Sequence, residues 1–258
     1  MKSRIISIVL LVCWNMTEGQ SLTFDQLLKF YEKGSGQRLD DSTASKYFDF
    51  TPNEYARKLE TGIILFRSQN HIALTAETNC GAGGYCSSSN VSTFKYDGEL
   101  IDQAAFESGY GDCVFSKDRD NIYVSDSLLI FADLDFEIAD CASDEEVVIK
   151  NELQIEYVFI NNGKFNRPII RKIDTRRKYY IGSSQFLKPS DLGKYSKDEL
   201  ATIRNEIFAS HGYTFDTPKW QQYFEQQEWY KPINKEVDKY LSMIERHNIQ
   251  ELLKAEGK

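Results

Sequence analysis

The run Tyr195-Ser-Lys-Asp-Glu-Leu-Ala-Thr-Ile-Arg-Asn-Glu-Ile-Phe-Ala-Ser-His-Gly212 decides how the C-terminal part of this chain folds. Ser196, followed three residues later by Glu199, is a capping box in which each side chain satisfies a backbone N–H that the first helical turn leaves without an acceptor. Leu200, Ile203, Ile207 and Phe208 then recur at helical spacing on one face, and Gly212 offers the positive φ that closes a helix. Arg204 and His211 project from the middle of that apolar stripe. A buried guanidinium left unpaired costs about 3–5 kcal/mol, so Arg204 is expected to meet a carboxylate. Glu225, Glu228 and Asp216 are the nearest in sequence. His211 sits at the helix end, where it can donate to the last carbonyls and the macrodipole favours a cation. The two side chains read either as a clamp that fixes helix packing or as the lining of a pocket.

The pattern continues past Gly212. Arg204-Asn-Glu-Ile-Phe-Ala-Ser-His-Gly212, with Phe215 and then Trp229-Tyr-Lys-Pro232, resembles the YARHG domain, a small extracellular bacterial domain named for a Tyr-Ala-Arg-His-Gly run. The resemblance spans Leu192 to Leu253. Two positions depart from the namesake: Phe208 stands where Tyr is usual and Ser210 where Arg is usual, removing a hydroxyl and a cation. The resemblance implies an envelope-facing module attached to other domains, and it implies no reaction.

Around this helix the region 192–258 reads as a small all-α domain. Thr217-Pro218 opens a second helix with Trp220, Tyr223 and Phe224 on one face, and a third is expected from Lys235 to Ala255. Upstream, Gly182 to Ser190 is rich in Gly, Ser and Pro where strand periodicity stops, so 182–191 reads as a linker. The region 20–181 is β-rich. Ile63–Arg67, Ile72–Ala76, Val91–Tyr96, Asp112–Phe115, Asn121–Val124, Ser127–Ile138 and Glu146–Ile160 look like strands, and Asn161-Asn-Gly163 turns the chain into a return strand over Lys164–Ile173. Short helices are expected before them, at Thr23–Glu32 and Pro52–Leu59, with a loop over Ser35–Ser45. The fold class is therefore α+β, an antiparallel sandwich, barrel or meander followed by helices.

Residues 1–19 read as an export signal. Lys2 and Arg4 give the positive start, Ile5 to Trp14 the apolar run, and Thr17-Glu-Gly19 the small-residue exit. The run is shorter than the roughly 20 residues a span needs, and no later segment qualifies, so no membrane span is expected after cleavage. Lipidation at Cys13 is disfavoured because Val12 stands where a small residue is required. Removal of Lys2, Arg4 and Glu18 takes the formal charge from −8 to −9, which disfavours nucleic acid as a partner. An exported chain with Cys80, Cys86, Cys113 and Cys141 remaining is expected to hold two disulfides, Cys80–Cys86 and Cys113–Cys141 being the preferred pairing of three.

Catalytic spacing is absent. The sequence has no G-x-S-x-G, no H-E-x-x-H and no phosphate-cradling Gly-rich run ending in Lys-Ser/Thr, and its three histidines, His71, His211 and His247, are scattered. No cofactor and no metal are expected. The acidic stretch Asp133–Glu156 and the basic stretch Lys164–Lys178 read as cross-strand charge pairs rather than a calcium site and an anion patch. The binding candidates are Arg204, His211, Trp220, Trp229 and Tyr230, the aromatic ones offering an apolar face with a polar handle. The expectation is a non-catalytic exported binding or docking module, periplasmic, cell-surface or secreted, whose partner is a cell-wall or envelope component or another protein. A hydrolase of wall or peptide material, and a secreted inhibitor or immunity-type partner, are the alternatives.

Overall fold

Period-two alternation between Glu60 and Ile173 builds nine strands that run back and forth in sequence order: β1 (Glu60–Arg67), β2 (Ile72–Asn79), β3 (Cys86–Phe94), β4 (Leu100–Gly111), β5 (Phe115–Val124), β6 (Leu128–Ile138), β7 (Val148–Asn161), β8 (Lys164–Phe165) and β9 (Ile169–Ile173). The computed structural model describes residues 21–53, 56–79, 86–111, 115–138 and 148–258. The export signal at 1–19, Cys13 and the pairing of Cys80, Cys86, Cys113 and Cys141 lie outside the described residues, Cys86 by its side chain. Each strand pairs antiparallel with the next, and β9 returns to pair with β7 beside β8. Of sandwich, barrel and meander, the sheet is the meander, with β1 at one edge and β8 and β9 at the other.

The meander curls. Ala73, Val91 and Phe106 of β2–β4 share a buried cluster with Leu129, Phe131, Val158 and Ile160 of β6 and β7, strands that are not their neighbours in the sheet. The β7–β8 turn fastens the curl. Asn162 (φ 50°) and Gly163 (φ 80°) both take positive φ, as a two-residue hairpin turn requires. A Cβ at Gly163 would lie 2.7 Å from Ile101 Cδ1. Thr93 Oγ1 donates to Gly163 O at 2.5 Å, and Phe165 N donates to an Asp102 carboxylate oxygen at 2.9 Å.

Both ends of the convex face are covered. α1 (Phe24–Tyr31), with a Thr23–Gln26 capping box, and α2 (Asp41–Phe48) pack on Ile72, Leu74, Ala76 and Phe94. Tyr31 Oη donates to Thr75 O at 2.8 Å, and burial pushes its phenol far above the usual value. On the other half, Leu128, Ile130, Ile155 and Tyr157 pack against Ile244 of the last helix and Phe186 of the segment between Ser184 and Pro189. Phe186 is wedged between Tyr123 and His247, with ring centroids 5.7 and 5.2 Å apart. This double coverage explains why Leu128 to Phe131 is a continuous apolar run: alternate residues face the concave core and the helical unit.

Several expectations are corrected. The described residues of Pro52–Leu59 carry no helix, while the expected loop Ser35–Ser45 contains the start of α2. Asp40 caps α2, accepting from Thr43 N at 2.9 Å. Strand β4 adds to the strands expected: Asp102, Gln103 and Glu107 interrupt its alternation, and its pairing with β3 is irregular at two points. The return strand breaks at Pro168, which cannot donate to a ladder. The region 182–191 is no open linker. It forms α3 (Ile181–Ser184) and α4 (Pro189–Leu192). The buried Asn248 side chain stitches it to the last helix, accepting from Leu187 N at 2.8 Å and donating to Gly182 O and Gln185 O at 2.9 and 2.7 Å. The acidic stretch is answered from β5 rather than from Lys164–Lys178: Arg119 meets Asp133 at 2.6 Å and also Glu156, and Lys117 lies 3.7 Å from Asp135.

Ile244 carries the seam between sheet and helices. Ile244→Ala is expected to destabilise the protein by about 2–5 kcal/mol in urea denaturation, with sheet and helix probes losing stability together. An unchanged midpoint would contradict a packed seam.

Candidate functional site

The helical unit is built on α5 (Lys197–Ser210), α6 (Pro218–Glu225) and α7 (Met243–Glu256). The Ser196–Glu199 box starts α5 as its sequence dictates, with Ser196 N donating to Glu199 Oε2 at 2.8 Å. Gly212, at φ 74°, ends it, and a Cβ there would fall 2.7 Å from Ile233 Cγ1 and 2.8 Å from Lys231 O. A second box, Ser242–Glu245, starts α7 eight residues later than the sequence pattern suggests, after a 3-10 turn at Asp238–Tyr240.

Three carboxylates on these helices are buried, Glu206 on α5 and Glu245 and Glu256 on α7, and each meets a cation. Arg204 grips Glu256 through two bonds, Nε to Oε1 at 2.7 Å and Nη2 to Oε2 at 3.3 Å. Its partner is thus on the last turn of α7, not Glu225, Glu228 or Asp216; antiparallel packing of α5 and α7 brings it there. His211 directs Nε2 to both Glu245 oxygens at 3.0 Å rather than to the last carbonyls of its helix. Arg177, 4% exposed, lies 3.5 Å from Glu206 and donates from both terminal nitrogens to Ser183 Oγ at 3.1 Å. Tyr179 N completes the Glu206 site at 2.8 Å.

Titration separates these pairs. Burial would raise Glu245 and Glu256, but the hydrogen bonds and charge of His211 on one, and of Arg204 and Lys258 on the other, hold both below the usual carboxylate value. For Arg177 and Glu206 burial prevails over their mutual attraction, so the arginine is lowered and the glutamate raised. That is the signature of a desolvated pair.

The five expected binding residues do not form one surface. Trp220, Tyr223, Trp229 and Tyr230 surround the buried ring of Phe224, with centroids 6.2, 5.0, 6.0 and 5.7 Å away. Tyr230 is core, its hydroxyl donating to Tyr213 O at 2.7 Å. Two clefts open on opposite sides of the clamp. The larger, about 600 Å³, holds Arg204 and Trp220 together with Phe208, Tyr213 and Lys235. The smaller, about 290 Å³, holds His211 and Trp229 with Arg171, Lys172 and Arg177, at the seam with β9. Arg177 and Lys172 stood unmarked within the basic stretch, and only the third dimension separates them from their neighbours. A third cleft, about 360 Å³, lies on the sheet among Glu77, Ser89, Glu107, Asp118, Arg119 and Asp120. There burial first, then Asp120 and Glu77, raise the Glu107 carboxyl. Among the described residues no His, Cys, Asp or Glu group has the makings of a metal site.

The architecture is that of an α+β protein whose sheet carries a compact, ion-clamped helical unit. That unit is a YARHG domain: the family's model matches residues 177–257, a region that begins at Arg177 and takes in α3 and α4 as well as the namesake run. The domain is of a small extracellular type found in exported proteins. No curated protein and no solved structure matches the chain. Among the described residues no helix is long and apolar enough to cross a membrane.

The lowered Glu256 makes a pH prediction. A carboxylate depressed in the fold contributes stability that is fully present above its unfolded value, near ~4.3, and that is lost as pH falls through the lower folded value. Glu256→Gln is therefore expected to be less stable than the parent at neutral pH, with the two unfolding curves converging at about pH 2. A gap unchanged across that range would refute the Arg204–Glu256 clamp.

Proposed function

We propose that this chain is a non-catalytic exported protein of the bacterial envelope, and that its YARHG domain docks on an envelope component, cell-wall material or another protein, through the cleft beside Arg204 and Trp220. The observation carrying this reading is the pairing of the clamp. Arg204, His211 and Arg177 are each held by a buried carboxylate, so none is poised as a free acid, base or nucleophile. What remains open is aromatic. Phe208 and Tyr213 stand 6.1 Å apart on the wall, the Trp220 ring lies under Lys219 Nζ, 4.8 Å from its centroid, and Lys235 with Asp216 makes a polar rim at 2.5 Å. Such a lining suits a ligand with both apolar faces and hydroxyl or amide edges, as sugars and peptides have.

Glu107 supports a second reading, a hydrolase of wall or peptide material. Its raised carboxyl lies in the sheet cleft lined also by Asp118 and Asp120, a layout with the ingredients of a general acid and a carboxylate partner.

A sedimentation assay on isolated bacterial cell walls separates the readings. Retention of the parent protein and about tenfold weaker retention of Trp220→Ala, at unchanged circular dichroism, is the expected result. Equal retention of both, or none of the parent, would overturn the docking role. Release of soluble wall fragments that stops in Glu107→Gln would favour the hydrolase.

A further inference from the structure

The small cleft at the seam is built from both parts of the chain. Strand β9 contributes Arg171 and Lys172, the residue after it Asp174, and the YARHG domain Arg177, Ser183, His211, Trp229 and Glu245. Its carboxylates are engaged. Asp174 takes Arg176 through bonds of 2.9 and 2.6 Å, and Glu245 takes His211 together with Ser242 N at 2.7 Å. Its cations are not all engaged. Among the described residues Lys172 has no carboxylate within ion-pair distance, and Arg171 donates to a neutral backbone acceptor, Tyr240 O, at 2.8 Å.

Donors are in excess as well. Trp229 Nε1 is buried and no protein acceptor meets it. Arg177 places its guanidinium 5.9 Å from the Trp229 ring centroid, and its Nε stands 3.5 Å from Glu206, an ion pair without a well-formed hydrogen bond. A buried N–H without an acceptor costs ~1–3 kcal/mol. Ser210, on the wall of the cleft, turns its hydroxyl back to Ile207 O at 2.7 Å. The volume of about 290 Å³ lies at the lower end of small-molecule sites, ~300–1,000 Å³.

We infer that this cleft is a binding site for a small ligand presenting an anionic oxygen group, the terminal carboxylate of a peptide or a phosphate ester. The anion's oxygens accept from Trp229 Nε1 and Arg177 while Arg171 and Lys172 supply the unbalanced charge. The site needs the sheet and the YARHG domain together, and it is separate from the cleft beside Trp220, so either can fail without the other.

The indole N–H signals of the exported, ¹⁵N-labelled protein test this directly. Trp229 is assigned with Trp229→Phe, and Trp220 serves as the internal control. Acetyl-alanine and inorganic phosphate are titrated separately, with sodium chloride at matched ionic strength. The expected result is a saturable shift of the Trp229 signal at millimolar probe with Trp220 unmoved, weakened about tenfold in Lys172→Gln. Saturation by acetyl-alanine alone assigns a peptide carboxylate, saturation by phosphate alone assigns a phosphate ester, and saturation by both supports the shared anion chemistry. No shift of Trp229 up to about 50 mM, a shift reproduced by chloride, or an affinity unchanged in Lys172→Gln would overturn the site.

Discussion

The helical unit depends on finding a cation for every carboxylate it buries. Glu245 and Glu256 are buried where α7 meets α5, and Glu206 is buried where α5 meets the segment Arg177–Tyr179; an unpaired charge at any of them is costly. Arg177, His211 and Arg204 meet them one to one. This gives Arg204 and the His of the namesake run a structural reason that does not involve a ligand. The Gly has its own, since a side chain at Gly212 would strike Ile233 and the Lys231 carbonyl. Charge pairs of this kind add little net stability but penalise every other register of the two helices, and we read them as a device for fixing one packing.

The same pairs decide what stays open. With Arg204 drawn to Glu256, one flank of α5 exposes the aromatic wall of the larger cleft; with His211 drawn to Glu245, the other flank faces the sheet. The sheet in turn is shaped by burial on two sides. Its concave face closes on Phe106, Phe131 and Ile160, and its convex face is covered at one end by α1 and α2 and at the other by Ile244 and Phe186. The two parts of the chain are therefore fixed to each other, which brings β9 cations to the edge of the YARHG domain.

Local features were legible in the sequence and long-range ones were not. The box at Ser196, the amphipathic helix after Thr23, the Asn162-Gly163 turn, the Gly212 terminus and the alternation of β6 and β7 all involve residues within a few positions of one another, and the structure holds each of them. Partner choice is different. Glu256 lies 52 residues from Arg204 and Glu245 lies 34 from His211, so nothing in the local pattern names them. The aromatic candidates were legible as a group, but only the placement of Phe224 at their centre reveals that they form a core with two separate exposed edges. α2 and the region 182–191 were misjudged for one reason: Ser, Thr, Gly and Asp composition looks like loop when its hydrogen-bond partners, such as Asn248, arrive from elsewhere in the chain.

Arg177 and Glu206 offer the most direct test, because both are displaced toward neutrality by burial. A double-mutant cycle with Arg177→Met and Glu206→Leu, followed by denaturant unfolding, isolates their coupling. Each single variant should lose about 3–5 kcal/mol, and the double variant should recover most of that loss, because removing both charges leaves nothing buried and unpaired. Strictly additive losses would show that the two side chains do not satisfy one another, and would contradict the claim that buried ion pairs set the packing of this domain.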